Sequence, residues 1–218
     1  MKDILCEVNS PLFDGIKAEE RKVMLGCIGY HISTFRKGDI VAFEDENIKH
    51  IGIVMAGSVD MVKEDLWGNK TMLVRMQKDE IFGETFACGS DNLSVVTFLV
   101  SEDAQILFIP FDRVMHSCTM ACQFHHRLIE NMVRVIADKN RDLMRKVEVV
   151  SKRTIREKLL AYLSIQAQDQ NSRYFEIPLG RVELAEYLCV DRSALTRELV
   201  KMKEDGLIDY EKNTFRML

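Results

Sequence analysis

Val182-Glu-Leu-Ala-Glu-Tyr-Leu-Cys-Val-Asp191-Arg-Ser-Ala-Leu-Thr-Arg197-Glu-Leu-Val-Lys-Met-Lys-Glu-Asp-Gly206-Leu-Ile208 decides how this chain reads. Leu184, Ala185 and Leu188 give a first helix one apolar side, and Val190 is expected as the buried plug of a tight turn. Asp191 suits the N-cap of a second helix, where its carboxylate accepts from amides that have no partner within the helix. Leu195, Leu199 and Met202 repeat at helical spacing, and Gly206 supplies a left-handed stop. The other face of that second helix carries Arg192, Ser193, Thr196, Arg197 and Lys201. A helix-turn-helix places the N-terminal residues of its second helix against base edges in the DNA major groove. Arg192 and Arg197 can each donate two hydrogen bonds to guanine O6 and N7, while Ser193 and Thr196 suit bases or phosphate. A helical hairpin packed on other protein would show the same apolar spacing.

The flanks extend this reading. Downstream, Ile208-Asp-Tyr-Glu, Lys212-Asn213-Thr214 and Phe215-Arg-Met-Leu predict a terminal hairpin, which makes the unit a winged helix whose wing carries Lys212 and Arg216. Upstream lie a short strand at Phe175-Glu-Ile-Pro, a polar loop at 167–173, and an amphipathic helix starting at Ile155.

Further upstream, Phe111 to about Val150 reads as helical. Within it Ile129, Val133, Ile136, Asn140, Leu143, Val147 and Val150 recur in alternating steps of four and three. That is a heptad seam with Asn140 at an a position, where a lone Asn specifies a parallel pair and its register. The face could instead pack on its own chain, but a sustained 3.5-residue repeat exceeds what that requires, and a homodimer is the expectation. From about Tyr30 to Pro110 the pattern is of short strands between turn residues. They are Ile40-Val-Ala-Phe, His50 to Met55, Val59 to Val62, Thr71 to Met76, Ser94 to Val100 and Ala104 to Ile109, with Trp67-Gly68-Asn69-Lys70 as a hairpin tip. This predicts a β-barrel, sandwich or jelly roll. Ser10-Pro11-Leu12-Phe13 opens a run of short helices before it.

The chain's 47% hydrophobic and 29% charged residues describe an ordinary globular protein with ample core. Its net charge of −4 is unevenly spread. Residues 1–133 hold 13 basic against 20 acidic side chains, 134–158 nine against four, and 159–218 eight against ten. Any DNA contact therefore relies on a few placed Arg and Lys rather than on a basic domain. No apolar run is long enough for a membrane span and no signal-peptide region opens the chain, so a cytoplasmic protein with six largely free thiols is expected.

Jelly roll, long helix and winged helix in this order resemble the Crp/Fnr superfamily of bacterial transcription regulators. The resemblance is carried by Glu80-Ile81-Phe82-Gly83-Glu84, similar to the phosphate loop of cyclic-nucleotide-binding domains, by Lys37-Gly38-Asp39 and Gly57-Ser58-Val59, and by the quoted helix-turn-helix. It covers nearly the whole chain. It implies an α+β fold: residues 1–150 as an effector-sensing β jelly roll of the cyclic-nucleotide-binding kind with its dimerisation helix at about 111–150, and residues 151–218 as a DNA-binding winged helix-turn-helix. It further implies a homodimer on palindromic double-stranded DNA, with RNA polymerase as a further partner and no membrane. The small effector would sit among Phe82, Gly83, Glu84, Thr85, Ser94, Val95 and Asn140. Glu84 matches the residue that binds ribose hydroxyls and Ser94 the serine beside the cyclic phosphate. Ser193 replaces a glutamate common in the family, so the usual half-site is not assumed.

The family's adjacent arginine is absent: Leu93 stands there, and no Arg or Lys occurs between Glu80 and Asp112. A buried phosphate without a cation is costly, which argues against cyclic AMP and for another, more apolar effector. Only Cys6 lies where oxygen-sensing members gather cluster ligands, so no iron–sulfur cluster is expected. Cys118, Cys122, His125 and His126 share a helical surface, and Cys88 follows Glu84, leaving a metal or redox sensor as an alternative beside an effector-independent regulator. A jelly-roll metalloenzyme would need clustered histidines, but His31, His50 and His116 are widely separated along the sequence with no His-x-His; neither catalytic nor metal-binding residues are assigned.

Overall fold

A computed structural model describes residues 8–68, 70–115 and 123–218. A 3-10 turn (Pro11–Phe13) and α1 (Ala18–Ile28) lead into β1 (His31–Phe35), β2 (Ile40–Ala42), β3 (His50–Glu64), β4 (Lys70–Met76) and β5 (Ile81–Phe82). The one-turn α2 (Glu84–Ala87), β6 (Thr97–Pro110), α3 (Phe111–Met115) and the 28-residue α4 (Gln123–Val150) follow. The C-terminal elements are α5 (Ile155–Asp169), β7 (Tyr174–Glu176), α6 (Arg181–Tyr187), α7 (Arg192–Glu204), β8 (Ile208–Glu211) and β9 (Thr214–Met217). Contacts fall into two compact units, Met1–Asp138 and Lys139–Leu218, with α4 beginning in the first and ending in the second.

The first unit is built on an antiparallel sheet in which β6 and β3 form the spine. β1 and β2 pair with β6; β4 and β5 pair with β3. Two of its strands, β3 and β6, are longer than the sequence predicts, and β1 and β5 are not among the expected strands. His50–Met55 and Val59–Val62 are one strand, β3, because Gly57 bends the chain without ending it. Gly57 lies at φ +76, where L side chains are disfavoured, and an added Cβ would fall 2.1 Å from the Asp103 carbonyl on β6. The register of β3 against β6 shifts around this bend. For the same reason the two runs of β6 are one strand; it begins at Thr97, and Ser94–Val96 is loop.

Both faces of this spine are buried, so its strands read as continuous apolar runs. Ile51, Ile53, Leu107 and Ile109 pack with Leu12, Met24, Leu25 and Ile28 and with Leu128 and Met132 of α4. Val54, Val59, Phe98, Val100 and Ile106 join Phe82 in the roll's interior. The second unit has its own core of Leu159, Leu163, Phe175, Leu184, Leu188, Leu195, Leu199, Met202, Ile208 and Phe215. The wing is a three-stranded sheet, β7-β9-β8, so β7 extends the expected hairpin by one strand.

Candidate nucleic-acid interface and effector site

α6, a four-residue connection (188–191) and α7 form the helix-turn-helix. Leu184 and Ala185 of α6 and Leu195, Leu199 and Met202 of α7 are buried together. The turn holds Leu188–Cys189–Val190, with Cys189 at φ +53 and Val190 half-buried rather than fully enclosed. Asp191 caps α7, accepting from the Ala194 amide at 2.9 Å and from the Ser193 hydroxyl at 2.5 Å. The Ser193 hydroxyl, then the Ala194 amide, hold the Asp191 carboxyl below its ordinary pKa. Gly206, at φ +70, follows the end of α7.

Arg192, Ser193, Thr196, Arg197 and Lys201 are all exposed on the face opposite that core. The Thr196 hydroxyl donates to the Arg192 carbonyl at 2.9 Å, which leaves its oxygen free to accept. Arg197 Nε donates to the Ser193 carbonyl at 3.3 Å, so both terminal nitrogens of the guanidinium can meet a base edge. Val200 shares this exposed face, an apolar member that the polar pattern did not single out. Lys212 occupies the β8–β9 turn at φ +51. Arg181 donates to the Lys212 carbonyl at 2.6 Å and lies over the rings of Tyr210 and Phe215, tying the start of α6 to the wing. Arg216 pairs in register with Tyr174 and Asp209, and Glu176 and Glu211 flank Thr214 two pairs along. Among these residues the wing's positive charge is therefore best placed at Lys212.

In the roll, Phe82 ends β5, and Gly83 at φ +79 precedes α2. A Cβ there would meet the His50 carbonyl at 3.1 Å and the Ile48 side chain at 3.2 Å. Glu84 is buried and Thr85 is exposed. Asn92 donates to the Ala87 carbonyl at 2.9 Å, holding the following loop against α2. Ser94 is fully buried, and its hydroxyl donates to the Val96 carbonyl at 2.6 Å, so it is committed to its own loop. Val95 is exposed while Val96 is buried. Phe82, Phe86 and Phe98 pack together in the interior, with ring centroids 5.1 Å and 6.1 Å apart for the pairs with Phe98. One cation does reach this loop: Lys63 of β3 donates to the Val95 carbonyl at 3.0 Å, but its ammonium is paired with Glu44. The sequence reading missed it because Lys63 lies thirty residues before Leu93. These groups do not fit a cyclic phosphate: Leu93 replaces the cation, Ser94 is occupied, and the nearby ammonium already carries a carboxylate.

Along α4, Val133 is 60% exposed, Leu143 59% and Val147 55%, and Asn140 is exposed between them. Ile129 and Ile136 are half-buried against the first unit's core. Asn140 falls in the second unit, whereas the other expected effector residues fall in the first. Cys118 and Cys122 lie outside the described residues; His125 is buried and His126 exposed, so these neighbours do not share one surface. Burial, then Glu84, push the Cys88 thiol above its ordinary pKa, which favours the less reactive protonated form.

A β-roll, a long helix and a winged helix-turn-helix define a two-domain architecture. Residues 32–118 match the cyclic nucleotide-binding domain family and residues 157–218 the Crp-like helix-turn-helix domain family. The chain belongs to the Crp/Fnr family of transcription regulators. It is 24% identical over 128 residues to the transcriptional activator protein FnrA of Stutzerimonas stutzeri, covering 56% of this chain and about half, 51%, of that relative's length. The fold is shared with the catabolite activator protein of Thermus thermophilus (20% identity, TM-score 0.52, 96% of this chain and 94% of that one). It is also shared with CLP of Xanthomonas campestris, a global regulator described as responsive to c-di-GMP (16% identity, TM-score 0.59, 90% and 96% covered).

Proposed function

We propose that this chain is a sequence-specific DNA-binding regulator that acts in the cytoplasm as a homodimer on a palindromic operator. The supporting observation is the exposed face of α7, where Arg192, Ser193, Thr196 and Arg197 stand on a helix that Leu195, Leu199 and Met202 anchor in its own core. The exposed apolar positions of α4, interrupted by Asn140, support pairing with a second copy. Half-sites for paired reading helices lie about 34 Å apart. RNA polymerase is a partner this reading includes, and no catalytic role is proposed.

The roll senses an effector other than cyclic AMP, and its aromatic, cation-poor interior favours an apolar one. The aromatic packing around Phe98 also supports a second reading, in which the roll acts without a small molecule. Arg197→Ala tests the DNA reading. It should weaken specific binding by about 1–3 kcal/mol and relax discrimination at one base pair. Footprints with an unchanged base preference would refute the assignment.

A further inference from the structure

Arg156, the second residue of α5, makes two side-chain hydrogen bonds to the reading helix. Its Nε donates to Glu198 Oε1 and its Nη1 donates to Asp205 Oδ2, each at 2.6 Å. Glu198 directly follows Arg197, and Asp205 is the C-cap of α7. The two carboxylates are seven residues apart, about 10 Å along a helix axis. A planar guanidinium that engages both fixes how α7 is rotated and how far it slides along α5.

Apolar packing alone does not fix that angle, because burial of Leu195, Leu199 and Met202 is non-directional. With side chains about 5–6 Å from the helix axis, a rotation of roughly 20° would move a reading tip by about 2 Å. That is more than a hydrogen bond to a base edge tolerates. The neighbouring Lys158 donates to the Leu188 carbonyl at 3.0 Å, so the start of α5 also holds the first residue of the turn. A partly exposed ion pair adds little stability. Its directional geometry is the larger contribution.

We infer that Arg156 is a positioning residue for DNA readout, setting the rotation of α7 through Glu198 and Asp205 without touching the duplex. This rests on the DNA-binding reading above. The test compares Arg156→Met, Arg156→Lys and unmodified full-length protein on two duplexes. One is enriched from a random pool by the unmodified protein, and the other is an unrelated sequence. Arg156→Met should bind the enriched duplex about tenfold more weakly, a loss of about 1.4 kcal/mol. Its affinity for the unrelated duplex should be unchanged, and base preferences should loosen across the whole half-site. Arg156→Lys, a point charge that cannot fork between both carboxylates, should restore only part of the loss.

Full affinity with unchanged preferences in Arg156→Met would overturn the inference. So would an equal loss on both duplexes with a salt slope reduced by about one, which marks a direct phosphate contact. If circular dichroism shows Arg156→Met unfolded, Glu198→Gln, which keeps the Asp205 arm, carries the same comparison. Failure to enrich any duplex would remove the DNA reading and this inference together, an outcome distinct from the other two.

Discussion

Asp191 shows how much one side chain contributes to the reading head. Its carboxylate accepts from Ser193 and Ala194, so it caps α7 and also holds a hydroxyl on the face to which we assign DNA reading. Those bonds favour the ionised form and depress the folded pKa. The linked stability is present above the unfolded carboxyl's pKa and is lost as pH falls through the folded one. Asp191→Ala should lower the melting temperature of residues 139–218 at neutral pH, and the gap to the unmodified protein should shrink below about pH 4. A gap that stayed constant down to the acid limit would contradict the cap's role. Local roles of this kind were legible because donor and acceptor lie within three residues. Lys63 beside Val95 and Arg156 beside Glu198 were not, since only the folded chain brings them together.

At the scale of elements, helical spacing fixed α4, α5 and α7, and the apolar positions of α7 that it identified are the buried ones. Strand limits were harder to read. Gly57-Ser58 and Glu102-Asp103 look like turns locally, yet antiparallel pairing carries β3 and β6 through them as a shared bend. The helical seam is the element with the clearest consequence. Val133, Leu143 and Val147 are exposed in the single chain, and Asn140 interrupts them with a polar group that a symmetry mate can satisfy. Asn140→Val should raise the melting temperature of the pair while allowing other oligomeric states. Sedimentation showing an unaltered dimer of unaltered stability would count against the seam.

For the molecule as a whole, the order of roll, long helix and winged helix was legible because each part has its own hydrophobic period. The sensing chemistry was only partly so. The missing arginine at Leu93 could be read directly, but the internal bond of Ser94 and the aromatic packing around Phe98 required the fold. Together they predict that titration of the full-length protein with cyclic AMP gives no saturable heat. Micromolar affinity would overturn the missing-cation argument.

The central claim is that two copies read DNA through paired α7 helices. Its most direct test is selection of binding sites from a random duplex pool by the full-length protein. The account predicts enrichment of a palindrome whose half-site centres lie about 10–10.5 base pairs apart, or a multiple of that spacing. No enrichment, or a single undivided site bound by one copy, would contradict it.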